Sequence, residues 1–246
     1  MSIPFTVARK DIREVFRNKS IYVYIAFLFL ISFPYLEGLR STLGGLTEQS
    51  SNVADIEEAA RSFLDVTVYT LPMTLSMLFC TYLSAYAIIL EKAKKSLESL
   101  LATPASLKQV WLGKTTAVTL PSVAITLLVL VAGILVLNFA VIVPQTGSFV
   151  LPNGLPLVTG LVIIPLVAFG VVAAVSILQL TMSNPRIANF VFIAMFFGFY
   201  MMTITEFSAS WDFWLIYLVT IVVLIVANLV LSRFLTKERV VLSSKG

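Results

Sequence analysis

Residues 91–114 read EKAKKSLESLLATPASLKQVWLGK and separate two long apolar runs of the chain. Within this stretch the spacing of Leu97, Leu100 and Leu101 places three leucines on one face of a helix. Pro104 ends that helix, because the residue before a proline is pushed out of the α region. A charged helix with a leucine face is typical of a docking surface for another protein.

The two ends of this stretch support the same interpretation. Glu91 precedes Lys95 by four residues, a spacing that stabilises an exposed helix. Ser106 and Gln109 have the S-x-x-Q spacing of a capping box, which predicts that a second helix begins there and continues into the next apolar run. The sequence therefore predicts two helices joined at a proline rather than a featureless loop.

The composition indicates a membrane protein. Of the 246 residues 59% are hydrophobic and 12% are charged, and the charged fraction is about half that of an ordinary soluble domain. There is no histidine, so the commonest metal ligand and the commonest general base are both missing. The single cysteine, Cys80, excludes a disulfide within the chain. With a net charge of only +4, we expect no nucleic-acid partner.

Six apolar runs approach the roughly 20 residues that a transmembrane helix needs. We expect an all-α integral membrane protein, one domain over residues 1–246, with both termini cytoplasmic. The predicted transmembrane helices are residues 21–36, 63–90, 116–143, 155–182, 190–205 and 213–234. With this arrangement all but Arg40 and Arg61 of the 17 basic residues lie on the cytoplasmic side, as the positive-inside rule requires.

The pattern of residues 1–19 predicts an amphipathic helix, and we expect this helix to lie in the inner headgroup layer of the plasma membrane. Its apolar face carries Phe5, Ala8, Ile12, Val15 and Phe16, and its charged face carries Arg9, Lys10, Arg13, Glu14 and Arg17. A helix that served only to set the topology would need the basic residues but not the apolar stripe.

Polar residues within the apolar runs are few, and none forms a catalytic pattern. Asp65 and Glu91 lie near span ends, and we interpret both as interfacial. Asn138, Gln179 and Asn228 cannot titrate, so interhelical hydrogen bonds are the better interpretation for them. No glycine-rich phosphate loop occurs, and we predict no catalytic, cofactor-binding or metal-binding residues.

These features together resemble the permease subunits of ABC-2 type transporters. The run from Ser96 to Pro104, SLESLLATP, preceded by Glu91 and followed by Gly113-Lys114, is similar to the family's acidic residue, LExLLxTP run and closing GK. The segments 8–13 and 236–240 are similar to the sodium-efflux branch of that family.

The resemblance implies a partner and a site. A separate ATP-binding subunit would hold ATP and Mg, two permease copies or paralogues would form a dimer, and residues 1–19 would be the connecting helix beside the contact. Transport would usually be export. The cytoplasmic coupling loop, residues 91–114, would dock the ATPase through its coupling helix, residues 91–103. The partner-binding residues would be Glu91, Lys95, Leu97, Glu98, Leu100, Leu101, Thr103 and Pro104.

Two other classes of function stay open at this point. One is a membrane component of a maturation or assembly complex, such as the copper-enzyme maturation type, which is of similar build. The other is an intramembrane enzyme, which the scarcity of titratable groups argues against. Nothing in the sequence identifies a transported substrate.

Overall fold

The computed structural model describes residues 3–31, 33–34, 37–38, 40–41, 44–45, 53–93, 106–185, 187–191, 193–194, 197–198, 213–236 and 238–240. The described residues contain helices and no strand, in agreement with the predicted all-α class. Two short helices open the chain, α1 at Ile3–Arg17 and α2 at Lys19–Ile31. Four longer helices follow among the described residues and form a bundle.

Three of the longer helices each contain one π-helical turn. Helix α3 comprises Val53–Ser84, a π turn at Ala85–Ile89 and a last turn at Leu90–Ala93. Helix α4 comprises Leu107–Leu137, a π turn at Asn138–Ile142 and Val143–Thr146. Helix α5 comprises Gly154–Val158, a π turn at Thr159–Ile163 and Ile164–Thr181. Helix α6 is Phe213–Arg233.

Three of the described helices are long and apolar enough to cross a membrane. They are Val53–Lys92, Leu107–Thr146 and Gly154–Thr181, and they contain the predicted spans 63–90, 116–143 and most of 155–182. Helix α6 contributes a shorter apolar helix, Tyr217–Arg233. The spans predicted at 21–36 and 190–205 are described only in part, so a total of six remains a prediction.

The core lies between α3, α4 and α5. Phe79 of α3, Val118 of α4 and Val171 of α5 are all fully buried in one apolar cluster. Helix α6 packs against α5, where Leu224 approaches Gly170. Helix α1 packs along the first half of α4, so the bundle has one end built from α1 and the charged termini of α3 and α4.

The start of α4 has the predicted capping box. Ser106 Oγ accepts a hydrogen bond from the Gln109 N–H at 3.3 Å, and Gln109 Oε1 accepts one from the Ser106 N–H at 3.0 Å. Two orphan backbone donors are thereby satisfied, which fixes where the helix begins. This part of the prediction for residues 91–114 is confirmed.

Candidate functional site: a buried lysine that joins three helices

Lys114 is buried in the interior of the protein. Its Nζ lies 2.6 Å from Oε2 of Glu91 at the end of α3 and 3.1 Å from Oδ2 of Asp11 on α1. The same Nζ donates to the carbonyl of Ala87, in the π turn of α3, at 2.9 Å. An ammonium group has three donors, and here all three have acceptors. We call Asp11, Glu91 and Lys114 the Lys114 cluster.

The preceding residue, Gly113, allows α1 to reach this position. A Cβ placed on Gly113 would lie 2.9 Å from the carbonyl oxygen of Pro4 and 2.9 Å from Cβ of Val7. Real Cβ atoms do not approach other atoms so closely, so only glycine permits this contact between α1 and α4. The Gly113-Lys114 pair therefore has two roles, since the glycine admits α1 and the lysine binds it.

Helix α1 packs one of its faces against α4. Ala8 and Val15 of the predicted apolar stripe are buried, but Phe5 is 54% and Phe16 is 37% exposed. Asp11 lies on the buried face, with 4% of its surface exposed. The amphipathic pattern predicts the helix, but it does not predict that the Asp11 carboxylate, between the apolar positions, lies on the packed side.

The charges of the cluster are unequal, because two carboxylates face one buried ammonium. Burial raises the pKa of the Asp11 carboxyl above its ordinary value, and the nearby Lys114 ammonium offsets only part of that rise. At the rim, Nζ of Lys10 lies 4.0 Å from Oε1 of Glu91 and 3.7 Å from Oε1 of Glu14. Lys10 is largely exposed, so solvent screens its share of the attraction.

Three carboxylates, those of Asp11, Glu14 and Glu91, bring oxygen atoms to within 4.8 Å of one another here. The Lys114 ammonium contacts two of them and supplies a positive charge within the group. The arrangement is therefore best described as an ion-pair cluster that joins helices.

Comparison with known proteins identifies the family. The chain matches the ABC-2 family transporter protein profile over residues 5–209, well over half of its length. The chain belongs to the ABC-2 transporter family. None of the curated proteins matches it. Members of this family are membrane components of ABC transporters and are normally paired with an ATP-binding subunit, so this chain is a transporter membrane subunit rather than an enzyme.

In this ABC-2 protein a second lysine fixes the same end of α3 to a different helix. Nζ of Lys92 donates to the carbonyls of Gln179, Leu180 and Met182 at 3.2, 3.4 and 2.5 Å. These carbonyls end α5, where backbone acceptors lack helical partners and the helix dipole favours a cation. Two consecutive residues, Glu91 and Lys92, therefore bind opposite neighbours of α3.

Two of the three polar residues predicted to join helices, Gln179 and Asn228, do so. Gln179 Nε2 donates to Ser84 Oγ at 2.5 Å, between α5 and α3, and to Asn189 Oδ1 at 2.7 Å. Asn228 Nδ2 donates to the carbonyl of Gly170 at 2.9 Å, between α6 and α5.

Asn138 has a different partner, because its Oδ1 accepts from the Val150 N–H at 2.8 Å and fastens the connection between α4 and α5. At the same end, Asp65 accepts from the backbone and side-chain amides of Asn153 at 2.7 and 2.6 Å. Ser148 donates to Glu57 there as well. The end of the permease away from the Lys114 cluster is thus closed by hydrogen bonds between α3 and residues 148–153.

Of the predicted partner-binding residues, the structure describes only Glu91. The other seven lie outside the described residues, namely Lys95, Leu97, Glu98, Leu100, Leu101, Thr103 and Pro104. Glu91 was interpreted as interfacial and as part of a docking helix, and its carboxylate is directed inward to Lys114. Sequence reasoning missed Asp11 and Lys114 as its partners. One sequence signal does indicate them. Lys114 follows Gly113 at a position where the apolar face of α4 begins, and a lysine there needs a buried acidic partner.

Proposed function

We propose that this chain is the permease subunit of an ATP-driven exporter, powered by a separate ATPase that docks on residues 91–103. The supporting observation is that Glu91, the first residue of the proposed coupling helix, is bound to Lys114, which also binds Asp11 of α1. A displacement of the docked segment would therefore act on α1 and α4 at once. Both termini and the docking segment would lie on the cytoplasmic side, and the permease would work as a dimer or with a paralogue.

The path of the force follows from the bonds at the end of α3. Residues 94–105 connect α3 with α4, so a push on that segment would act on Glu91 and Lys92 near its start and on Ser106 at its end. Glu91 passes it to α4 and α1, and Lys92 passes it to the end of α5. The π turn at Ala85–Ile89 lies directly behind these residues, and π turns within helices recur at functional positions. The partner subunit would bind ATP and Mg, and this chain would carry the movement.

Capture from membranes tests this function. The tagged chain would be purified in mild detergent from the membranes of its own host, and co-purifying proteins would be identified by mass spectrometry. We expect an ATP-binding cassette protein with ATPase activity. Replacing residues 94–105 by a Gly/Ser segment of equal length should remove that protein, and the same replacement of residues 46–52 should not. Capture of no ATPase, or capture that survives the first replacement, would refute the proposal. Recovery of an enzyme-maturation complex instead would favour the assembly class.

A further inference from the structure

A groove of about 440 Å³ lies on the surface between α4, α5 and α6, toward the end that holds the Lys114 cluster. Its volume is within the range of cavities that hold small ligands. The walls are apolar and outward-facing, since Leu166 is 53%, Ile225 is 54% and Leu229 is 64% exposed. Because α4 and α5 are long and apolar enough to cross a membrane, these walls would face lipid in a single copy of the chain.

The floor of the groove is fixed by hydrogen bonds to α5. Trp111 Nε1 donates to the carbonyl of Ala173 at 2.9 Å, and Asn228 Nδ2 donates to the carbonyl of Gly170 at 2.9 Å. A Cβ on Gly170 would lie 3.1 Å from Leu224, so the glycine brings α5 and α6 close beneath the groove. Since both side-chain donors are engaged, the groove offers a ligand mainly apolar contact along its length.

One end of the groove is cationic. Lys108, exposed in the first turn of α4, is the charged residue among those that line it, and none of the described lining residues is acidic. Ser232 lines the same groove, and the exposed Arg233 follows it at the end of α6. An apolar channel with a cation at its membrane-surface end has the polarity of a phospholipid with an anionic headgroup.

We propose that this groove binds an anionic phospholipid, with one acyl chain between Leu166, Ile225 and Leu229 and the phosphate near Lys108. The charge at the groove's end favours this occupant over a neutral amphiphile. The site requires only that the helices lie in a membrane, so it does not depend on the exporter function or on the ATPase partner. A bound lipid here would stabilise the packing of α6 on α5.

Quenching of Trp111 fluorescence tests the site, because the indole lines the groove. The full chain with Trp211→Phe and Trp214→Phe, which leaves Trp111 as its one tryptophan, would be placed in nanodiscs of phosphatidylcholine. Phosphatidylglycerol or phosphatidylcholine with brominated acyl chains would then be added at equal mole fractions. We expect brominated phosphatidylglycerol to quench at about fivefold lower mole fraction, the effect of one basic residue near an anionic lipid.

Three charge variants decide the outcome. Lys108→Gln should remove the preference for phosphatidylglycerol, and Lys108→Arg should keep it. Lys19→Gln, which removes an exposed cation at the start of α2, should also keep it. Equal quenching by both lipids in the unchanged groove, no quenching by either, or equal effects of Lys108→Gln and Lys19→Gln would each overturn the proposal. Because Lys108→Arg changes the side chain but keeps the charge, a preserved preference in this variant shows that the charge, and not the substitution itself, decides the result.

Discussion

Nζ of Lys114 and Oε2 of Glu91 lie 2.6 Å apart, and this contact closes the gap between the two helices that flank residues 94–105. The side chain of Lys114 is 1% exposed and that of Glu91 is 17% exposed, so water screens the pair weakly. Asp11 completes the contact from α1. The segment proposed to receive the ATPase is therefore clamped at its base by a buried charge cluster.

Removing the lysine should destabilise the protein severely. Lys114→Met leaves the Asp11 and Glu91 carboxylates without their common cation, and breaking a buried pair in this way costs about 3–5 kcal/mol. The free energy of unfolding in detergent micelles, followed by circular dichroism against denaturant, measures this loss. Lys10→Gln is the control, because Lys10 is largely exposed and its pairs are long. Equal stability of Lys114→Met and the unchanged chain would contradict the role of the cluster.

Neutralising the whole cluster should separate stability from coupling. A triple variant, Asp11→Leu, Glu91→Met and Lys114→Met, replaces all three charged side chains by apolar ones of similar volume, and such replacements of buried ion pairs are often neutral for stability. We expect its unfolding free energy to return to within about 1.5 kcal/mol of the unchanged chain. If the cluster transmits force, the triple variant should still fail to stimulate the ATPase activity of the partner subunit.

The triple variant can contradict the expected stability or the expected loss of ATPase stimulation. Normal stimulation of the ATPase would mean that the cluster only holds the helices together. A stability as low as that of Lys114→Met would mean that the charges themselves, rather than an uncompensated charge, are needed for packing.

Gly113→Ala should loosen α1. The added methyl group would meet the Pro4 carbonyl and the Val7 side chain at 2.9 Å, and α1 must shift to admit it, at a cost of about 1–3 kcal/mol. Gly133→Ala on the same helix is a matched control, because a Cβ there meets nothing within 4 Å. Limited proteolysis at the amino terminus together with thermal unfolding would compare the two. Equal protection of both variants would show that α1 tolerates the methyl group.

The sequence predicted the helices well, because long apolar runs and a capping box are local signals. Ser106 begins α4 as its spacing with Gln109 requires, and Gln179 and Asn228 form the expected bonds between helices, whereas Asn138 bonds the connection between α4 and α5. The predicted span begins at residue 63, but α3 already begins at Val53 and runs continuously to Ser84. No breaking residue separates the two parts, so the helix continues out of the apolar region.

The Lys114 cluster could not be predicted in the same way. Asp11 lies 103 residues from Lys114 in the sequence, and Glu91 lies 23 residues from it, so no helical spacing links them. Asp11 also lies next to Lys10 and Arg13, which makes it look like part of a solvated charged face. Only the packing of α1 on α4, allowed by Gly113, shows that this carboxylate is buried.

Stability should depend on pH through Asp11. Its folded pKa is raised by burial above the unfolded value of about 3.9, so the native state holds this proton more tightly. The contribution is present in full below about pH 4 and is lost as pH rises through the folded pKa. Unfolding free energies of the unchanged chain and Asp11→Asn, measured from acid to neutral pH, should therefore differ by a term that falls with rising pH. A difference that rises instead would contradict the direction assigned to Asp11.

Charging the predicted leucine face of residues 97–101 should prevent docking of the ATPase. Leu101→Asp places a charge on the surface expected to enter a groove of the ATPase, and truncating or charging such an anchor costs about 2 kcal/mol or more of binding. The variant should insert in the membrane at normal levels but lose the co-purifying ATPase and its stimulated activity. Leu101→Met keeps an apolar side chain of similar volume and should retain both. If Leu101→Asp still binds and stimulates the ATPase, docking must occur elsewhere, and the exposed face of α1 with Arg9 and Arg13 becomes the next surface to test.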